Sequence, residues 1–196
     1  MTNPTKPSKK EVLTNEEMQS LLDACGGGIL GTRNRAMLAL MWKIGLRRAE
    51  VCDLVPADLN WKENKVRIRN GKGGNDDFSG LPNSVKPYVD AWTAKRASLN
   101  LPRRSPLFCA TSKSPGAPIQ PAYIYNRLQA LAKKAGITKH IHPHMFRRSC
   151  ATQLLNKGYS LTEVQSHLRH ASLSSTYHYL VIQSKDALAQ KMADDW

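Results

Sequence analysis

Apolar residues recur at helical spacing through most of the chain. Thr14-Asn15-Glu16-Glu17 has the form of a capping box, a hydroxyl answered three residues later by a carboxylate, and it leads into MQSLLDAC. A first helix is therefore predicted from Asn15, ended by Gly26-Gly27-Gly28. A second is predicted from Thr32 to Ile44, where Ala36, Leu38, Leu40, Met41 and Ile44 make a broad apolar face. Gly45 interrupts the pattern, and a short helix follows through Ala49 to Leu54.

The period then changes from 3.6 to two. In KVRIR, Lys65 to Arg69, Val66 and Ile68 alternate with cations, the pattern of a half-buried strand. Asn70 to Asn75 form a Gly-rich turn, and DDFSGLP is the predicted return strand of a hairpin. Helical character resumes from Ser84 to Ser98. A strand-like SPLFCA and a Ser-, Pro- and Gly-rich loop over 111–118 precede a helix from Pro121 to Lys134, with Gly136 at its end. Further helices are predicted at Met145–Lys157 and Thr162–Leu168, separated by Gly158, with a short one near Leu173–Tyr179. The last segment, LVIQSKDALAQKMADDW, reads as a separate amphipathic helix. The expected fold class is mainly α with a small antiparallel β-hairpin or sheet, in one unit without an internal linker or repeat.

The 196 residues suffice for one sizeable core, and 41% apolar with 22% charged residues excludes a disordered or collagen-like chain. The longest apolar run, Ala36 to Trp42, is about a third of a membrane span. The first ten residues, MTNPTKPSKK, lack the apolar stretch of a secretory signal, so a soluble protein that stays in the cytoplasm is expected.

Charge narrows the classes further. Lys and Arg number 29 against 15 Asp and Glu, a net charge of +14, with a pI near 9.9. Such a field attracts polyanions, nucleic acid above all; the bland alternative is a basic surface kept for solubility. No lipidation motif or basic amphipathic anchor points to a membrane. Cys25, Cys52, Cys109 and Cys150 lie far apart without a C-x-x-C, against both a zinc module and a disulfide framework. His140-Ile-His142-Pro-His144 puts three imidazoles on one face of an extended segment, but no carboxylate or thiol lies nearby in sequence to complete a site, so no metal is expected.

Four segments carry candidate chemistry: Gly45-Leu46-Arg47-Arg48-Ala49-Glu50, the hairpin tip with Lys72, His144-Met145-Phe146-Arg147, and Leu168-Arg169-His170 with Tyr179 nine residues after that histidine. Each has an ordinary reading: a carbonyl-capping arginine, an exposed turn lysine, a His and Arg sharing a helix face, a core tyrosine. Together and in this order, GLRRAE, GKGGN, HPHMFRRS and LRHASLSSTYHY resemble the tyrosine recombinase (phage integrase) family, over nearly the whole chain. The family pattern is G-L-R-x-x-E, a hairpin lysine, H-x-x-R, and L-G-H followed nine residues later by tyrosine. Two positions depart from it: Arg169 stands in place of the glycine, so that a tighter turn or a shifted backbone is expected there, and Arg148 stands where a histidine is frequent.

The resemblance implies a site-specific DNA recombinase that forms a covalent 3′-phosphotyrosyl intermediate without ATP or metal. Its catalytic set here is Arg47, Lys72, His144, Arg147, His170 and Tyr179, with no cofactor. Two guanidinium forks, Arg47 and Arg147, suit the charge developing on a five-coordinate phosphorus, where a fixed donor is typically worth about 3 to 4 kcal/mol. His144 and His170 supply hydrogen bonds, and His144 can also accept a proton. Lys72 is the implied general acid, Tyr179 the nucleophile with Tyr177 its nearest competitor, and Glu50 a structural support that orients Arg47 or caps a helix. Trp42, Trp61, Trp92 and Trp196 are expected in the core or an interface.

The implied organisation is a flexible basic arm over 1–11, a catalytic domain over 12–182, and a tail or helix over 183–196 whose Leu188, Met192 and Trp196 dock on a neighbouring protomer or pack on their own domain. The partner is double-stranded DNA, with four protomers on two sites and a monomer or dimer when free. The family's separate N-terminal DNA-clamping domain is not expected, as in short members that invert promoter segments or in a catalytic fragment. A type IB-like topoisomerase and a DNA-binding regulator of the same fold are the rival classes.

Overall fold

The computed structural model describes residues 12–69, 75–102 and 104–169. Helix α1 (Asn15–Ala24) starts where the capping box puts it: Thr14 Oγ1 accepts the Glu17 N–H at 3.2 Å, and Glu17 Oε2 accepts the Thr14 N–H at 2.8 Å. Helix α2 (Ile29–Ile44) begins three residues before the predicted Thr32. Thr32 is not a cap but lies within the first turn, its hydroxyl donating back to the Gly28 carbonyl at 3.0 Å. The helix ends at Gly45, whose φ of 74° is left-handed. A short α3 (Arg48–Asp53) follows.

A 3₁₀ turn at Pro56–Asp58 leads to a three-stranded antiparallel sheet, β1 (Leu59–Asn60), β2 (Lys65–Ile68) and β3 (Asp77–Gly80), in that spatial order. The predicted hairpin is β2–β3, in the register Val66 opposite Ser79. Strand β1 is too short to show a period, which hid it in the sequence. Val66 and Ile68 face the core as the alternation requires. On the other face, the buried Asp58 carboxylate accepts from Arg67 at 3.1 Å, Arg69 at 3.0 Å and the Val55 N–H at 2.8 Å. The base of the hairpin is thereby fixed, because a buried carboxylate must keep its donors.

Helix α4 (Lys86–Ala97) is preceded by a 3₁₀ turn at Asn83–Val85. SPLFCA is not a strand: among the described residues its one β-pairing is an isolated bridge between Cys109 and Pro118. Leu107, Phe108 and Cys109 are all buried, so this segment threads the core instead of alternating across a sheet. Helix α5 (Pro121–Lys134) matches its predicted bounds. Helix α6 (Pro143–Asn156) starts two residues before Met145, because Pro143 occupies its first turn. Helix α7 (Leu161–Leu168) has Ser160 as N-cap in a second capping box, with Glu163.

One apolar core, centred on α2, gathers α1 through the start of α6. Trp92 is fully buried in it and donates to the Leu107 carbonyl at 2.7 Å; Trp42 is buried and Trp61 half-buried. A small second cluster, Cys150, Ala151, Val164 and Leu168, fastens α7 onto α6. All four cysteines are free thiols, and burial pushes Cys25 and Cys52 up to about 11 and Cys150 to about 12, so these three stay protonated. No helix among the described residues is long and apolar enough to cross a membrane.

Candidate active site

Arg47 at the start of α3 and the pair His144 and Arg147 on α6 come from two elements about 100 residues apart in sequence, and the end of α7 is where Arg47 and Arg147 meet. Arg147 lies on the inner face of α6 and is 6% exposed. Its Nη1 donates to the Gly45 carbonyl at 2.7 Å and its Nη2 to the Leu168 carbonyl. One planar fork thus bridges the end of α2 to the end of α7. Burial, followed by repulsion from Arg47, pushes the Arg147 guanidinium down to about 10, so it still carries its charge at neutral pH.

The Gly45 turn allows this approach. A Cβ at Gly45 would lie 2.5 Å from Leu168 Cδ2, and φ is already left-handed, so glycine brings the α2 terminus against α7 without steric conflict. The chain then exits through Arg47, the N-cap of α3. Glu50, one turn on, accepts the Arg47 N–H at 2.7 Å through Oε2 and Arg47 Nη1 at 2.7 Å through Oε1. It therefore caps the helix and orients the guanidinium, both roles expected of it. The Arg47 side chain is 43% exposed, open to a ligand, and its Nη2 reaches the Arg169 carbonyl at 3.5 Å.

Arg169 fills a role that the sequence pattern did not reveal. It is the C-cap of α7 at φ 54° and ψ 48°, so its backbone takes the left-handed turn suited to glycine. Its side chain folds inward, 6% exposed, and Nη2 pairs with Glu50 Oε2 at 2.7 Å. Burial alone would raise the Glu50 carboxyl, but Arg169 and then Arg47 outweigh it and hold the group below its usual range. The sequence signal was available: a cation replacing glycine in a segment whose partner motif carries a lone carboxylate.

The hairpin joins the same turn. Ser79 on β3 donates to the His167 carbonyl at 2.9 Å and pairs with His167 Nδ1 at 3.2 Å. The hairpin tip with Lys72 lies outside the described residues, as do His170, Tyr177, Tyr179, Leu188, Met192, Trp196 and the arm over 1–11.

His144 is exposed in the first turn of α6. Its imidazole titrates below the usual histidine value, first through desolvation and then through the positive charges of Arg148, Arg147, Arg48 and Arg47. The positive end of α6 acts in the same direction. A depressed histidine stabilises the fold fully above its unfolded value of about 6.5 and loses that contribution as pH falls. The His144 ring signals are expected to titrate with a midpoint below 6.5 by NMR, and Arg148→Gln is expected to move the midpoint upward. An unmoved midpoint in that variant would contradict the electrostatic origin.

His140, His142 and His144 do share a face, with ring centroids 6.3 Å apart along the row, and Tyr125 Oη hydrogen-bonds His140 Nε2 at 2.9 Å. Among the described residues, no group of three or more His, Cys, Asp or Glu side chains is arranged to hold a metal ion.

Comparison with known proteins points the same way. Residues 11–185 match the phage integrase family model. Tyrosine recombinase XerC of Bacillus licheniformis is 36% identical over 160 residues, 81% of this chain and 52% of that protein. Type 1 fimbriae regulatory protein FimE of Escherichia coli is 27% identical over 172 residues, 88% of this chain and 86% of that one. A crystal structure of the XerH site-specific recombinase bound to its difH substrate, a pre-cleavage complex, superposes with a TM-score of 0.74 at 25% identity, over 91% of this chain and 52% of that chain. The chain thus spans about half the length of XerC and XerH. With Arg47 and Arg147 brought to one helix end and the family model matched over residues 11–185, the chain belongs to the phage integrase family of tyrosine recombinases.

Proposed function

We propose that this chain is the catalytic domain of a site-specific recombinase that cuts and rejoins double-stranded DNA through a 3′-phosphotyrosyl intermediate. The observation that carries the reading is the pairing of Arg47 and Arg147 at the C-terminal end of α7, one residue before His170. Two guanidiniums held there, one open to solvent and one buried, form a receptor for the two nonbridging oxygens of a phosphodiester.

In the proposed step, the Tyr179 phenolic oxygen attacks phosphorus and the bond to the 5′ oxygen breaks. His144, whose protonation is disfavoured first by desolvation and then by its arginine neighbours, accepts the phenolic proton. Lys72 gives a proton to the departing 5′ oxygen, which leaves as a hydroxyl. Arg47, Arg147 and His170 donate to the phosphoryl oxygens as charge builds on them. The phosphotyrosyl ester keeps the energy of the broken bond, so rejoining is the reverse attack and needs neither ATP nor a metal. Recombination by this chemistry takes four protomers on two DNA sites. The segment over 12–182 is the proposed catalytic unit and 183–196 the segment that docks on a neighbour.

Suicide substrates drawn from DNA flanking the gene, nicked so that the 5′-hydroxyl strand diffuses away, test the reading. Covalent protein–DNA adducts are expected, undiminished in excess EDTA. Strict dependence on added Mg²⁺ would indicate metal-assisted hydrolysis instead. Relaxation of supercoils without paired sites would indicate a topoisomerase.

A further inference from the structure

Arg169 occupies a backbone position that disfavours any residue with a Cβ. At φ 54° glycine turns freely, whereas an arginine there is held against a conformational preference. Such an outlier persists where surrounding contacts outweigh it, and here those contacts can be named. Arg169 Nη2 pairs with Glu50 Oε2 at 2.7 Å, its Nη1 donates to the His167 carbonyl at 3.3 Å, and its own carbonyl faces Arg47 Nη2 at 3.5 Å. The side chain is nearly sealed from solvent at 6% exposure, and the Glu50 side chain is 13% exposed.

The geometry divides the Glu50 carboxylate. Oε1 faces the Arg47 guanidinium, while Oε2 is held by the Arg47 backbone N–H and by Arg169. A carboxylate gripped on both oxygens cannot rotate, so Oε1 presents one fixed direction to Arg47. Charge matters as well. With Arg169 present, one carboxylate is shared between two guanidiniums, leaving net positive charge beside Arg147. With glycine in its place, Glu50 would neutralise Arg47 alone.

We propose that Arg169 is a positioning residue: it acts through Glu50 to aim the Arg47 guanidinium and to keep its charge available to the scissile phosphate. The proposal rests on the strand-cleavage reading above. It assigns to this chain a three-arginine, one-carboxylate cluster in which the residue at the glycine position of the family pattern is a working part.

The test compares Arg169→Gly and Arg169→Lys with the native chain. In Arg169→Gly, which restores the residue best suited to the turn, single-turnover cleavage at saturating DNA is expected to fall about tenfold or more. DNA affinity is expected to stay within about twofold, since one recessed cation makes at most a small contribution to phosphate binding. Arg169→Lys, keeping a charge within reach of Glu50, is expected to recover most of the loss. In a Glu50→Gln background, Arg169→Gly is expected to add little, because both changes act along one path. Cleavage by Arg169→Gly at the native rate would overturn the proposal, as would equal losses in both Arg169 variants that track a lowered melting temperature.

A second readout needs no DNA. The Arg47 side-chain NMR signals are expected to show hindered guanidinium rotation in the native chain and faster averaging in Arg169→Gly; unchanged Arg47 signals would also overturn the proposal. Should the native chain cleave no substrate, the functional reading fails while the Arg47 spectra still decide the positioning role.

Discussion

Tyr179→Phe is expected to remove all covalent protein–DNA adducts from a suicide substrate while leaving noncovalent binding within about twofold, since affinity comes chiefly from cation–phosphate contacts. The substitution deletes one oxygen and nothing else, so the aromatic bulk stays while the atom proposed to form the phosphoester bond is lost. No other hydroxyl lies nine residues after His170. Tyr177→Phe, two positions earlier, is expected to retain adducts. A gel-shift assay beside a denaturing adduct assay separates the two quantities. Adducts persisting in Tyr179→Phe and disappearing in Tyr177→Phe would transfer the nucleophile to Tyr177 and undo the assignment.

The next largest effect is expected at Arg147. Lysine keeps the positive charge but replaces a rigid fork with a single ammonium on a flexible stem. The native guanidinium satisfies the Gly45 and Leu168 carbonyls together, tying the end of α2 to the end of α7. An ammonium at one end of a four-carbon stem lacks the planar spread to hold both and still face a phosphate. Single-turnover cleavage by Arg147→Lys is therefore expected to fall by about 10²–10³, the usual cost of losing a preorganised donor at developing charge. Stability is expected to fall by about 1–3 kcal/mol, the cost of a buried carbonyl left without its donor. Denaturant unfolding measures the second quantity and cleavage well below the midpoint the first. A rate within tenfold of native at saturating DNA would mean that Arg147 is a structural clamp rather than part of the phosphate receptor.

These two outcomes rest on different kinds of knowledge. The Tyr179 expectation comes from motif order and spacing. The Arg147 expectation needs the carbonyls that hold it, one more than 100 residues away in the chain. Local elements were legible where local physics sets them. The Thr14–Glu17 capping box, the Gly45 stop and the Pro121–Lys134 helix are each written in a few neighbouring residues. SPLFCA was misread because continuous burial serves a core-threading segment as well as a strand. Strand β1 escaped notice because two residues carry no period.

A resemblance to a known family supplied the candidate side chains of the proposed site, and the amino-acid order alone was enough to determine the helical character, the hairpin and the excess of positive charge. Those are properties of residue type and short spacing, which hydrophobic periodicity and turn chemistry express directly. Only the tertiary structure showed that the end of α7 is the meeting point for Arg47, Arg147 and the hairpin strand, and that Arg169 reaches across it to Glu50. The reason is physical. A buried guanidinium or a carbonyl at a helix end must find a partner, but which partner depends on how distant segments pack, and no local pattern records that choice.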